Sequence, residues 1–306
     1  RIAQQELTFS IFHAVRSLIK IVFITSHLVH CLTMSSQICS LTELDASKLL
    51  DDADIQICQA LIGSLQQAIQ IGTFDTAAAV MMLSHFCACP RQGHLGGVKH
   101  VIGHLSKFKH SVIRIRTDKP VCSNIPKKEC DWFYTCYAGA REGIPESCPT
   151  PRRNSVVTTT ALMQLFHDVI SGRSVTGVLH LLNMTPIDWH SKLQTTAETA
   201  AFGSVHVAAH TATEQILDLC PTLRCLGVPL DGPSFVLETM NPLQHGYSSP
   251  LQTAQVPQRF LTPPHQRSYR ITRFHHIVGT ANPADVLSED WGHLSVWETL
   301  RPLMFW

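Results

Sequence analysis

The chain has 306 residues, 44% of them hydrophobic and only 15% charged, which excludes a disordered tail and fits one large or two modest domains with real cores. A formal charge of +1 and a pI near 7.8 exclude a protein that grips nucleic acid by bulk charge, leaving only a local basic patch for that purpose.

Arg1 opens the sequence and the first methionine is Met34, so the chain reads as an internal piece of a longer product. Residues 8–34 are apolar but interrupted by Arg16 and Lys20. The clean run from Ile21 to Met34 is shorter than the roughly 20 residues a bilayer span needs, and no small-residue cleavage site follows it. Residues 1–40 are left unassigned, with a buried helix or a stretch without a native fold expected there and an intracellular residence, cytoplasm or nucleus, for the whole. No membrane partner is expected.

From Asp54 the pattern turns helical. Ile55, Cys58, Leu61/Ile62, Leu65 and Ala68/Ile69 recur at three- and four-residue spacing, with Asp54 as N-cap and Gly72 as stop. A second helix is predicted from Asp75 to Pro90, and a third through Leu95, Val98, Val101/Ile102 and Leu105. Ser111–Arg116 reads as a strand. Residues 117–151, with Pro120, Pro126, Pro145, Pro149 and Pro151, read as a linker. Beyond it, Val156–Leu165, Ser174–Leu182 and Pro186–Lys192 read as three successive strands. A long helix is predicted from Thr195 to Leu226, broken or kinked near Pro221. Phe235–Leu237 and Phe274–Val278 supply a fourth and a fifth strand, and a last helix lies near Ala284–Ser288. Three strands, a helix, a strand, another strand and a helix make an α/β layer architecture.

Eleven cysteines include no C-x-x-C pair. Cys87/Cys89 and Cys220/Cys225 lack zinc-finger spacing, so reduced thiols are expected. His206/His210 and His100/His104 recur at i,i+4, but a gluzincin helix carries Glu directly after the first His, and Val207 stands there.

Leu61, Gly63, Leu65, Asp75, Leu83, Ser84, Phe86, Pro90, His94, Lys99 and Leu105 occur in an order and at intervals that resemble the end of the reverse transcriptase module in copia-type LTR-retrotransposon polyproteins. Cys58, Thr73-Phe74 and His104 depart from the family's tyrosine, Arg-Pro and second tyrosine. The resemblance resumes in the ribonuclease H module that follows. Ser174 and Gly177 fit its second strand, Trp189, Ser191, Lys192 and Gln194 fit W-x-S-K-K-Q, and Asn282-Pro283-Ala284-Asp285 fits N-x-A-D. The resemblance implies a helical reverse-transcriptase tail over 41–116 and a ribonuclease H-like domain, a mixed sheet with helices, over 152–306.

Ribonuclease H chemistry uses two divalent metals, and hard Mg2+ needs carboxylate oxygens to anchor it. The resembled family supplies four acids. In register with them stand Leu162 on the first strand, Val205 on the long helix, Met240 after the fourth strand, and Asp285 near the last helix. Only Asp285 is retained as a catalytic or metal-holding acid, so no cofactor is expected for the chain as written. Leu162 and Asp168 share a strand face at a separation of roughly 20 Å, and Glu198 precedes Val205 by about 10 Å. Asp168, Asp188, Glu198 and Glu238 are therefore read as exposed surface acids rather than replacements. The family's Y-V-D-D polymerase turn is absent.

Glu238-Thr239-Met240 is what the codons of the family's Gly-Asp-Asn give when read one base late, so residues 238–271 are expected to be out of frame. The leading expectation is an inactive remnant of a retrotransposon polyprotein. The alternatives are a residual metal-dependent ribonuclease of RNA–DNA hybrids, and a non-catalytic module that binds RNA or hybrid weakly. Lys99, Lys107, Lys109, Arg114 and Arg116 are the basic residues that would track a nucleic-acid backbone. Their bland reading is a solvated face.

Overall fold

A computed structural model describes residues 45–116, 149, 155–165, 173–196, 201–230, 232, 234–239, 272–288 and 300–305. They fall into two compact units, residues 1–113 with 289–306, and residues 114–288. The expectations for residues 1–40, for Met240 and for nearly all of 117–151 and 240–271 lie outside the described residues.

The first unit is helical. Helix α1 (Asp52–Ile71) is capped by Asp51, whose carboxylate accepts from the Asp54 N–H. The cap is therefore three residues earlier than the predicted Asp54. Asp52 and Asp54 instead occupy the first turn, where negative charge suits the helix dipole. Gly72 ends α1 as predicted, at φ 136°, a conformation that L side chains rarely adopt. A 3-10 turn (Phe74–Thr76) precedes the short helix α2 (Ala77–Ser84), so the helix expected from Asp75 to Pro90 is shorter at both ends. Helix α3 (Gln92–Lys107) matches its expected course.

Leu83, Phe86 and His94, all residues of the reverse-transcriptase resemblance, make the joint between α2 and α3. The Phe86 and His94 rings stack with centroids 4.2 Å apart. A Cβ at Gly97 would come within 3.0 Å of the Leu83 side chain, so glycine lets the two helices close up. The expected strand Ser111–Arg116 shrinks to β1 (Val112–Ile113), which pairs antiparallel with β7 (Met304–Phe305).

The second unit is α/β. Strands β2 (Thr158–Leu165), β3 (Val175–Leu182) and β4 (Thr185–Leu193) form an antiparallel meander. Helix α4 (Ala201–Cys225) follows, then β5 (Ser234–Glu238), parallel to β2, and β6 (Thr272–His276), parallel to β5. The sheet order is β4-β3-β2-β5-β6. A short helix α5 (Asp285–Ser288) comes last. Asn183 makes the β3–β4 hairpin possible by taking a positive φ of 55°, which Asn tolerates better than most residues.

The helix is not broken at Pro221, because α4 runs through it to Cys225. The missing N–H falls in the last turns, where the Leu226 and Val228 N–H groups still find the Thr222 and Leu223 carbonyls. At its start, Thr195 and Thr196 form a bend rather than helix.

Both faces of the sheet are covered. Under α4, Leu162, Val178 and Val236 pack against Ala208, Ala209, Ala212, Ile216 and Cys220. The alanines let the helix sit low on the strands. On the other face a Cβ at Gly177 would lie 2.9 Å from Leu287 Cβ and 3.0 Å from the Ala284 carbonyl, so glycine sets the approach of α5. No helix among the described residues is long and apolar enough to cross a membrane.

Candidate functional site

The four positions read against the ribonuclease H acids are reached from β2, α4, the end of β5 and α5. Leu162 lies within β2 and is buried in the cluster under α4. Val205, near the start of α4, is buried too. Met240 lies outside the described residues. Asp285 begins α5.

Asn282 joins two of these positions. Its Nδ2 donates to the Leu162 carbonyl at 2.8 Å, and its Oδ1 accepts from the Ala284 N–H at 3.0 Å. The Asp285 N–H donates to the Asn282 carbonyl at 3.2 Å. The Asn-Pro-Ala-Asp run thus pins the start of α5 to the strand that carries Leu162. Asp285 Oδ1 is buried without a hydrogen-bond partner among the described residues, and burial pushes its carboxyl up to about 6.

Glu238 departs from expectation. Expected to be an exposed surface acid, it is fully buried at the end of β5, and neither carboxyl oxygen has a hydrogen-bond partner among the described residues. Burial pushes its carboxyl up to about 8. Strand alternation explains the error. Ser234, Val236 and Glu238 are the buried positions of β5, and Phe235 and Leu237 the half-buried ones. Asp188 is exposed as read, while Asp168 and Glu198 lie outside the described residues.

The chain matches no protein-family model, no curated protein and no solved structure. The chemistry of the site therefore rests on its own residues. Of the four positions, two present buried apolar side chains, one lies outside the described residues and one presents a half-buried carboxyl, where a metal pair would need several ionised oxygens. Among the described residues no group of three His, Cys, Asp or Glu side chains could hold a metal ion. A pair of magnesium ions does not fit this donor set, and no metal-assisted step follows from it.

Of the W-x-S-K-K-Q run, Gln194 is structural. Gln194 Nε2 donates to Thr176 Oγ1 at 2.9 Å and to the Ser204 carbonyl at 2.8 Å, tying the end of β4 to β3 and α4. Ser204 Oγ in turn donates to Gln164 Oε1 at 2.8 Å. His180 was not singled out in the sequence, yet it bridges the same seam. Its Nδ1 lies 2.8 Å from Thr160 Oγ1 and its Nε2 3.1 Å from Gln215 Oε1. Burial, against the hydrogen bond that His180 donates to Gln215 Oε1 and the charge of Asp188, lowers its pKa. The signal available in the sequence was a histidine at an inward position of an otherwise apolar strand.

The histidine pairs separate into unrelated contacts. His104 Nε2 lies 2.9 Å from Asp75 Oδ2, while burial and His104 lower the pKa of His100. His210 Nδ1 lies 3.5 Å from Glu214 Oε2, and His206 is buried. The basic residues divide by unit. Lys99, Lys107 and Lys109 belong to the first, with the Lys107 ammonium 5.3 Å from the Phe108 ring centre, and Arg114 and Arg116 to the second.

Proposed function

We propose that the chain is a catalytically inactive remnant of a copia-type retrotransposon polyprotein, its second unit a degenerate ribonuclease H-like domain. The observation that carries this reading is the Asn282 bond to the Leu162 carbonyl. The retained N-x-A-D motif meets the first-strand acid position, and that position is a buried leucine. Further support comes from the order of elements. Three strands, a long helix, a fourth and a fifth strand and a short last helix occur in the order that the hydrophobic pattern predicts, and a mixed α/β sheet is compatible with the resembled module. The first unit supports the same origin more weakly, through the helix joint built from Leu83, Phe86 and His94.

The test is cleavage of a labelled RNA–DNA hybrid by the full chain with Mg2+ or Mn2+, beside Asp285→Asn. The expected result is no cleavage by either protein. Cleavage by the wild-type chain that disappears in Asp285→Asn would overturn the reading, since another donor would then have replaced the lost acids.

A further inference from the structure

Glu238 is used by none of this chemistry, and its surroundings set an unusual demand. It shares its strand face with Val236, which packs under α4. The parallel ladder sets Ala161 beside Leu237, so the next step of β2 brings Leu162 to the level of Glu238. On its other side Glu238 is in register with His276 of β6, the edge strand. A carboxylate here has lost its water and gained no donor, a loss worth several hydrogen bonds. The Glu238 backbone carries the last tie across this edge, its carbonyl accepting from the Ile277 N–H at 2.8 Å.

We propose that Glu238 is a proton-dependent latch on the β5–β6 edge. Protonated, its side chain stays in the core and the tie to Ile277 holds. Deprotonated, the carboxylate is driven toward water and takes the end of β5 with it. Among the described strands β6 pairs with β5 alone, so this edge opens first.

The titratable groups around Glu238 leave the proton on it. Strand β2 carries none. Strand β6 offers His276, the exposed register partner, while Arg273 and His275 are in register with Phe235 and Leu237. On α4 the buried titratable side chains are His206 and, at the far end beside Ser234, Cys220. The half-buried His210 and the exposed Glu214 lie further along the helix. Asp285 belongs to α5, on the sheet's other face.

The direction follows from linkage. A carboxyl held at about 8 when folded, against 4.5 when free, contributes stability that is complete below the free value and is lost as pH rises through the folded value. Within that window the opening equilibrium rises about tenfold per pH unit.

The experiment is hydrogen exchange of the full chain from pH 5.5 to 8.5, corrected for intrinsic exchange chemistry, on wild type, Glu238→Gln and Glu238→Leu. In the wild type, opening at Ile277 and along β6 is expected to rise about tenfold per unit between roughly pH 6 and 7.5, then level off. Both variants are expected to be flat, as are the α3 amides in all three proteins. A flat wild-type curve, an equal slope in the variants, or an equal slope in the β3 and β4 amides overturns the latch. If Glu238→Gln does not fold, Glu238→Leu, which suits an apolar site, and the wild-type curve decide the matter.

Discussion

Asn282 shows how much one buried side chain can hold. Fully buried, it spends its amide on the Leu162 carbonyl and its carbonyl on the Ala284 N–H. Replacing Asn282 with Ala removes two hydrogen bonds and strands a buried acceptor and a buried donor. The expected loss is about 2–4 kcal/mol from the second unit, read by urea denaturation with an unchanged slope. Asn282→Asp keeps the shape but turns the donor facing Leu162 into an acceptor, and is expected to cost at least as much. A loss under about 0.5 kcal/mol in both variants would mean that Asn282 is not the pin between β2 and α5. Gly177 serves the same joint from the other side, since any larger residue meets the Ala284 backbone. Asn282 and Gly177 therefore have a role in holding the fold that does not depend on any catalytic site.

Among the elements, α4 is the least settled by its own sequence. Its Pro221 is exposed and sits inside the helix, so the Leu217 carbonyl four residues earlier lacks its usual donor. Pro221→Ala supplies that donor and a better helix former, offset in part by a freer unfolded chain. The second unit is expected to gain about 1–2 kcal/mol, measured as a rise in its unfolding midpoint. No gain would mean that the end of α4 already bends to spare the bond.

The strands of this unit were legible within a residue or two, because alternation and apolar runs carry their own period. Helix ends were less so. Asp51, Asp52 and Asp54 all have capping chemistry, and only the backbone selected Asp51. Two errors share a cause. Glu238 was read as exposed and Pro221 as a break because residue type was weighed above position. The inward parity of β5 and the packing of α4 on the sheet override both types. His180 was missed for the same reason, a polar residue whose partners, Thr160 and Gln215, are far away in sequence.

At the scale of the whole second unit, the described positions proposed to have lost their acids are filled by packing. Leu162 belongs to the hydrophobic cluster under α4, and Val205 is buried nearby on the same helix. If the remnant reading holds, the fold has been repacked around the substitutions and reversal is obstructed. Leu162→Asp with Val205→Glu would restore two of the four acid positions. Each change also places a carboxylate where an apolar side chain is packed, with no cationic partner among the described residues. The double variant is expected to lose about 3–5 kcal/mol or more of stability. Mg2+ at millimolar concentration is expected to return little of that loss, because Met240 still supplies no carboxylate ligand. Thermal unfolding with and without Mg2+ separates the possibilities. A midpoint raised several degrees by Mg2+ in the double variant alone, together with hybrid cleavage, would show the site to be two substitutions from recovery and its scaffold still in register. An unmoved midpoint would mean that burial has replaced metal as the force holding these elements together.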